Sequence, residues 1–223
     1  MTVVLPLFEH EIPDWFSASA IGAALLASYL LGSIPCGYLL ARLVAGIDIR
    51  HYGSGNIGAT NVARVLGKRY FLPVFVLDFC KGAGPVAVVQ CQRFQELVPH
   101  TWRPWLAPVT GLAAMAGHLW PIWLGFRGGK GVATGAGVVS VLVPWPAAAA
   151  LIAWLIVATA TRVVALASLA AALVLAVTHT LMIWPDWVAP PALPLTLFVW
   201  IGFALVLVRH RDNLRRLLDG TGH

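Results

Sequence analysis

The sequence predicts an all-α fold: a polytopic membrane protein of about seven transmembrane helices, with its N-terminus outside and its C-terminus cytoplasmic. Two observations predict it. Of the 223 residues, 59% are hydrophobic and 11% are charged, where a soluble domain carries roughly a quarter charged residues. Most side chains therefore have only lipid or other apolar helices to face. The Lys and Arg residues also fall in short stretches between apolar runs, not along one amphipathic face or in one block. That distribution sets nucleic acid aside as a partner despite a formal charge of +6.

The elements follow in order. Residues 1–15 hold Glu9, Glu11 and Asp14 without a Lys or Arg; a secretory signal starts basic, so this reads as an acidic external leader. Phe16 to about Val44 is the first apolar run, and Pro35 predicts a kink in its inner half because it removes a helical hydrogen bond. Residues 45–69 are polar. Tyr70 to Val89 is the second run, with Asp78 and Lys81 three apart on one helical face, read as a neutralised structural pair. A polar loop at 90–104 leads to Trp105–Leu124, which carries His118 and Pro121 near its end.

Val132–Val143 and Ala147–Ala160 flank Pro144-Trp145-Pro146. Each is shorter than the roughly 20 residues of a span, and they read as two short helices borrowing ends from their loops. Thr161-Arg162 is a corner, Val163–Trp184 the next run, Pro185–Pro194 a loop and Leu195–Val208 the last run. The cytoplasmic basic tail, 209–223, reads as a short amphipathic helix with Leu214, Leu217 and Leu218 opposite arginines. No segment repeats at a fixed period, so 1–223 reads as one membrane-embedded domain. Cys36, Cys80 and Cys91 have neither metal-ligand nor disulfide spacing and read as packing residues. No metal and no cofactor are expected.

With the N-terminus outside, the loops at 45–69, 125–131, 161–162 and 209–223 share one face. That face collects twelve cations, counting Arg42 at its border, against Arg93 and Arg103 opposite. The positive-inside bias makes it cytoplasmic.

Three polar islands lie on that face. The first is Gly53-Ser54-Gly55-Asn56-Ile57-Gly58-Ala59-Thr60-Asn61 with Arg64, offering hydroxyls, amides and a guanidinium to a phosphate. The second is Gly125 to Thr134, where Gly128-Gly129-Lys130-Gly131 opens a helix at Val132. Glycines permit close approach to an oxyanion, and a helix start adds positive potential. It is not a Walker A loop: Gly125 to Lys130 is one residue short, and Gly131 stands where a hydroxyl residue belongs. The third is Arg209-His210-Arg211-Asp212-Asn213 with Arg215 and Arg216, which puts His210 and Asn213 on one helical face. Plainer readings exist for each, as a capped loop, a flexible turn and a solvated basic tail. A lone histidine in an apolar run reads first as a satisfied core residue; for His118, which precedes the glycine loop, orienting that loop is the alternative, and His179 reads as structural.

Taken together, the islands resemble the membrane-bound glycerol-3-phosphate acyltransferases that use acyl phosphate, the PlsY type. The likeness runs through Gly53 to Arg64, Gly117-His118 to Thr134 and Arg209 to Arg216. Gly32-Ser33-Ile34-Pro35, Leu77-Asp78-Phe79, Lys81-Gly82 and Thr161-Arg162 match as well. The resemblance implies a seven-helix protein of the bacterial inner membrane with a cytoplasmic-side site. It implies transfer of a fatty acyl group from acyl phosphate to glycerol 3-phosphate, giving lysophosphatidic acid and phosphate, the first acylation of phospholipid synthesis. By residue match, the family's polar set falls on Ser54, Arg64, Lys130, Ser168, His210 and Asn213. Ser54, Arg64, Lys130, His210 and Asn213 are the catalytic candidates. Gly53, Asn56, Asn61, Gly128, Gly129, Gly131, Thr134, Ser168 and Arg209 are the substrate-binding ones. The pattern departs at Ala165, where the family has serine, and at Val164, where tyrosine is usual.

The chemistry suits these residues. Both substrates are phosphates, so two anion sites are needed; acyl phosphate is an activated anhydride, so positioning, oxyanion stabilisation and removal of one proton remain. The islands hold no Ser-His-Asp arrangement and no His-x-x-x-x-Asp motif. The expectation is therefore direct transfer without an acyl-enzyme, with the donor's own phosphate taking the proton and His210 the alternative base. No obligate protein partner is expected beyond the bilayer and the two substrates. The rival reading is a small anion or phosphate transporter, which would place its site near the membrane midplane.

Overall fold

Pro35 does more than kink the first run. In the computed structural model, which describes residues 13–219, the run divides into two helices, Asp14–Ser33 (α1) and Cys36–Ala45 (α2). Pro35 has no N–H to extend α1, and Ile34 ahead of it is extended. Most of the acidic leader lies outside the described residues; Asp14 and Trp15 form the first turn of α1. The polar stretch that follows is ordered by single 3-10 turns at Ile49–His51 and Lys68–Tyr70 around a helix at Ala59–Leu66 (α3).

Phe71–Gln90 (α4) is the second long run, Gln92–Gln95 (α5) a single turn in the next loop, and Arg103–Leu119 (α6) the third run. Val132–Leu142 (α7) and Pro144–Thr161 (α8) are the short pair, 11 and 18 residues long. They are joined helices rather than broken fragments because Pro144 starts α8 at the position where its missing N–H costs nothing. Val164–Met182 (α9) and Leu193–Leu218 (α10) complete the chain. The basic tail is not a separate helix: α10 runs on through it, and 220–223 lie outside the described residues.

Among the described residues, five stretches are long and apolar enough to cross a membrane: Asp14–Ala45, Lys68–Gln90, Pro144–Thr161, Val164–Met182 and Leu193–Leu217. The first of these includes the break at Pro35. Among the described residues the secondary structure is helical, without strands. Of the cysteines only Cys36 is buried; Cys80 and Cys91 are exposed, which corrects the packing role expected of them.

Between apolar helices in lipid, burial of apolar area is a weak drive, and close backbone approach takes its place. Two helix pairs show this. A methyl group on Gly32 would strike the Ala114 carbonyl, and one on Gly117 the Tyr29 carbonyl, so α1 and α6 touch backbone to backbone. Ser28 Oγ adds a hydrogen bond to the Thr110 carbonyl (2.8 Å). In the same way Gly82 meets the Thr134 carbonyl and Gly137 the Phe79 carbonyl, locking α4 to α7. A central core that includes Val86, Leu106, Met115, Val138, Leu175 and Phe198 joins these pairs to α9 and α10. A second, smaller core of Ala41, Ile49, Ile57, Val62, Val74 and Leu124 sits under the polar stretch between α2 and α4. Because Leu124 belongs to it, the first island and the approach to the glycine loop rest on one foundation.

Candidate active site

Asn61 organises the first island. Its Oδ1 accepts the Ser54 N–H (2.8 Å), while Nδ2 donates to the carbonyls of Tyr52 (3.0 Å), Asn56 (2.8 Å) and, more weakly, Ile49 (3.4 Å). With 2% of its surface exposed, Asn61 holds the loop, and its carboxamide is fully engaged there. Asn56 acts similarly, its Oδ1 accepting the Gly58 N–H (2.8 Å). Gly53 has φ +58, and any Cβ would run into Asn61 Oδ1, so only glycine fits. The result is a rigid loop that leaves Ser54 and Arg64 exposed. Upstream, Asp48 chelates Arg50, whose guanidinium stacks on Tyr38 (5.3 Å); this pairing holds the Asp48 carboxyl down at about 2.

The glycine loop is held from two sides. The Gly129 N–H donates to the His118 carbonyl (3.1 Å), so His118 does anchor the loop that follows it. That bond removes one N–H from the anion nest expected over Gly128 to Gly131. On the other side, Arg209 of α10 donates through Nε and Nη2 to the Gly129 carbonyl (3.1 and 2.8 Å) and through Nη2 to the Gly128 carbonyl (3.1 Å). Arg209, expected to bind substrate, is thus a clamp on the loop's carbonyls. Gly131, at φ +79, turns the chain into α7. Between Gly117 and Gly128, Trp120, Ile122, Trp123 and Phe126 are exposed, Trp123 by 62%, while Leu119 and Leu124 are buried.

Lys130 is where the islands meet. Its Nζ donates to Asn213 Oδ1 (2.7 Å), one turn past His210 on α10. Burial, then the charges of Arg216, Arg209 and Arg64, push the Lys130 ammonium down to about 8, against a smaller pull from Asp212. A lysine made easier to deprotonate by neighbouring cations marks a spot that favours an anion. His210 is 2% exposed, and its Nδ1–H donates to the Val206 carbonyl (2.8 Å), which leaves Nε2 as the acceptor.

Two expected residues stand apart from this cluster. Ser168 donates to the Val164 carbonyl (2.8 Å) and accepts from Trp154 Nε1 (3.4 Å), bonds that stay within α8 and α9. Thr134 is fully buried where α7 crosses α4, its Oγ1 without a hydrogen-bond partner. A polar group only half recognised in the sequence lies beneath the loop. Asp78 meets Lys81 (2.8 Å) and His118 Nδ1 (3.7 Å), all three side chains buried.

The polar loops and last helix of this helical membrane protein bring Arg64, Arg209 and Arg216 within electrostatic reach of Lys130, a concentration of positive charge suited to an anionic group. Comparison with known proteins narrows this. The glycerol-3-phosphate acyltransferase family profile matches residues 22–220. A glycerol-3-phosphate acyltransferase of Anaeromyxobacter sp. (strain K) is 44% identical over 210 residues, covering 92% of this chain and 97% of that one. One from Aquifex aeolicus (strain VF5) is 42% identical over 196 residues, covering 88% and 94%. Among solved structures, PlsY, an integral membrane glycerol 3-phosphate acyltransferase, matches in its glycerol 3-phosphate form with a TM-score of 0.80 and 38% identity, over 92% of this chain and 94% of that one. Its lysophosphatidic acid form matches with a TM-score of 0.77 and 37% identity, over the same shares of each chain. The chain belongs to the glycerol-3-phosphate acyltransferase family, of the PlsY type, and is an acyltransferase. Family membership sets the transporter reading aside.

Proposed function

We propose that this protein transfers a fatty acyl group from acyl phosphate to glycerol 3-phosphate, forming lysophosphatidic acid and inorganic phosphate. The observation that carries the reading is the convergence on Lys130: two islands far apart in sequence supply Arg64, Asn213 and the arginines of α10 around the ammonium of the third. The names of the relatives, and the two forms in which PlsY was solved, support the acceptor and the product.

In this scheme Lys130, Arg64 and the start of α7 hold phosphate, while Ser54 and Asn213 donate or relay hydrogen bonds. Gly53, Asn56, Asn61, Gly128, Gly129, Gly131 and Arg209 keep the loops in shape; Thr134 and Ser168 are the outlying members of the set. The acceptor hydroxyl oxygen attacks the acyl carbon, a C–O ester bond forms, and the bond from that carbon to the phosphate oxygen breaks. The hydroxyl proton passes to the departing phosphate, and no acyl-enzyme forms. What the protein supplies is alignment and fixed positive charge, the two contributions such an activated donor still needs.

The same reading takes α6 and α7 as crossings beside the five long stretches, seven in all within one domain. Twelve cations on the α2–α3, α6–α7, α8–α9 and C-terminal side, against two opposite, orient that side to the cytoplasm of a bacterial inner membrane.

The test is an assay of purified protein with radiolabelled glycerol 3-phosphate and either palmitoyl phosphate or palmitoyl-CoA. Lysophosphatidic acid from the phosphate alone supports the donor. Product from the thioester overturns it. The proton route is tested by the pH–rate profile of His210→Gln: loss of a near-neutral pKa would assign the base to His210.

A further inference from the structure

Asp78, Lys81 and His118 are 2%, 8% and 3% exposed, and three ionisable side chains so deep between apolar helices require a reason. Their contacts have a direction. Lys81 Nζ donates to the Ile34 carbonyl (2.8 Å), the group exposed by the break at Pro35 between α1 and α2. The same ammonium meets Asp78 Oδ1 at 2.8 Å, as an ion pair without hydrogen-bond alignment. Asp78 Oδ1 faces His118 Nδ1 at 3.7 Å. The His118 carbonyl then holds the Gly129 N–H, and its ring lies so close beneath Gly129 that a methyl group there would strike Nε2.

Two glycine-tight units are joined by this chain. One is α1 with α6 and the other α4 with α7, each in direct backbone contact. Lys81 and Asp78 stand on α4; Ile34 and His118 stand on the α1–α6 side. The glycine loop is the covalent link from α6 to α7, so its ends are carried by different units. Whatever sets one unit against the other sets the loop, and with it Lys130.

From this geometry we infer that Asp78, Lys81 and His118 are positioning residues for the acyl transfer, fixing the α1–α6 unit against the α4–α7 unit so that the glycine loop presents Lys130 to Asn213. The activity arm of the test rests on the function proposed above; the Lys130 arm does not.

The experiment compares wild type with Asp78→Asn/Lys81→Met, which removes both charges at once and leaves neither buried alone. Lys130 reactivity toward an amine-acylating reagent is followed by mass spectrometry from about pH 7 to about pH 11, around the ordinary lysine range. The wild-type midpoint is expected near 8, and that of the double variant displaced toward the ordinary 10.5. Its kcat is expected to fall between about 10- and 100-fold, the effect of a reacting group displaced by a fraction of an ångström to an ångström. A double variant with the wild-type thermal midpoint, Lys130 profile and kcat overturns the proposal. Should that variant fail to insert, His118→Gln, which leaves the Asp78–Lys81 pair in place, is read identically, and an unchanged profile there overturns it too. If wild type shows no transfer, the proposed function fails, while the Lys130 profiles still decide the positioning role.

Discussion

Lys130 Nζ and Asn213 Oδ1 lie 2.7 Å apart although 83 positions separate them in the chain. The bond joins the residue just ahead of α7 to the C-terminal part of α10. It aims the ammonium without neutralising it, because a carboxamide accepts the hydrogen bond and adds no net charge.

Lys130→Met removes the cation and is expected to lower kcat/KM on the order of 100-fold or more, as loss of a preorganised charge-stabilising donor does. Asn213→Ala keeps the charge and loses its aim, with an expected loss of about 10-fold, since a hydrogen bond to a charged group contributes roughly 1.5–3 kcal/mol and the lysine stays in place to recover part of it. Steady-state rates with acyl phosphate and glycerol 3-phosphate distinguish the two. An unaltered Asn213→Ala enzyme would show that the bond is incidental.

The depressed Lys130 ammonium predicts a pH dependence. In the free enzyme the lysine loses its proton around 8; a bound phosphate favours the charged form and raises that value. Affinity for glycerol 3-phosphate is thus fully present below about 8 and declines as pH rises through the higher value of the complex. The ligand is not the source, because a phosphate monoester is already dianionic above about pH 7. KM measured from pH 7 to 9.5 should rise in wild type and stay flat in Lys130→Arg, whose guanidinium does not titrate there.

Arg209→Lys retains a cation but cannot span the Gly128 and Gly129 carbonyls as the planar fork does. The expected result is a loss of about 10-fold in kcat/KM, with normal membrane insertion. Wild-type activity in that variant would mean that charge alone is needed at 209.

Asn61→Ala strips partners from the Ser54 N–H and from the Tyr52 and Asn56 carbonyls at a buried position. Thermal unfolding in detergent should show a destabilisation of about 2–4 kcal/mol. Activity should fall with it, because Ser54 is held by this amide.

Much of this arrangement was legible in the sequence for a physical reason. Apolar runs have to be helices in lipid, and glycine-rich basic segments between them have few other uses, so the spans and the three islands stood out. The pairing of Asp78 with Lys81 was visible from their spacing on one helix. The third member was not: His118 meets them only because α4 and α6 pack together, and contacts between helices leave no periodic trace in either one. Asn61 and Arg209 illustrate the same limit. Residue type marks both as phosphate-binding candidates, and only the folded loops show that their donors are taken by backbone carbonyls. The break at Pro35 was legible in place and understated in degree.

Trp120, Ile122, Trp123 and Phe126 are exposed apolar side chains shortly ahead of Gly128 to Lys130 in the chain, and aromatic residues of this kind favour the headgroup region of a bilayer. Under the function proposed above, a donor with a long acyl chain reaches the loop by lateral diffusion within the leaflet, while the polyol phosphate arrives from water. Enzyme velocity then follows the mole fraction of donor in the surface, and spreading a fixed amount of it through added inert lipid slows turnover even though its bulk concentration is unchanged.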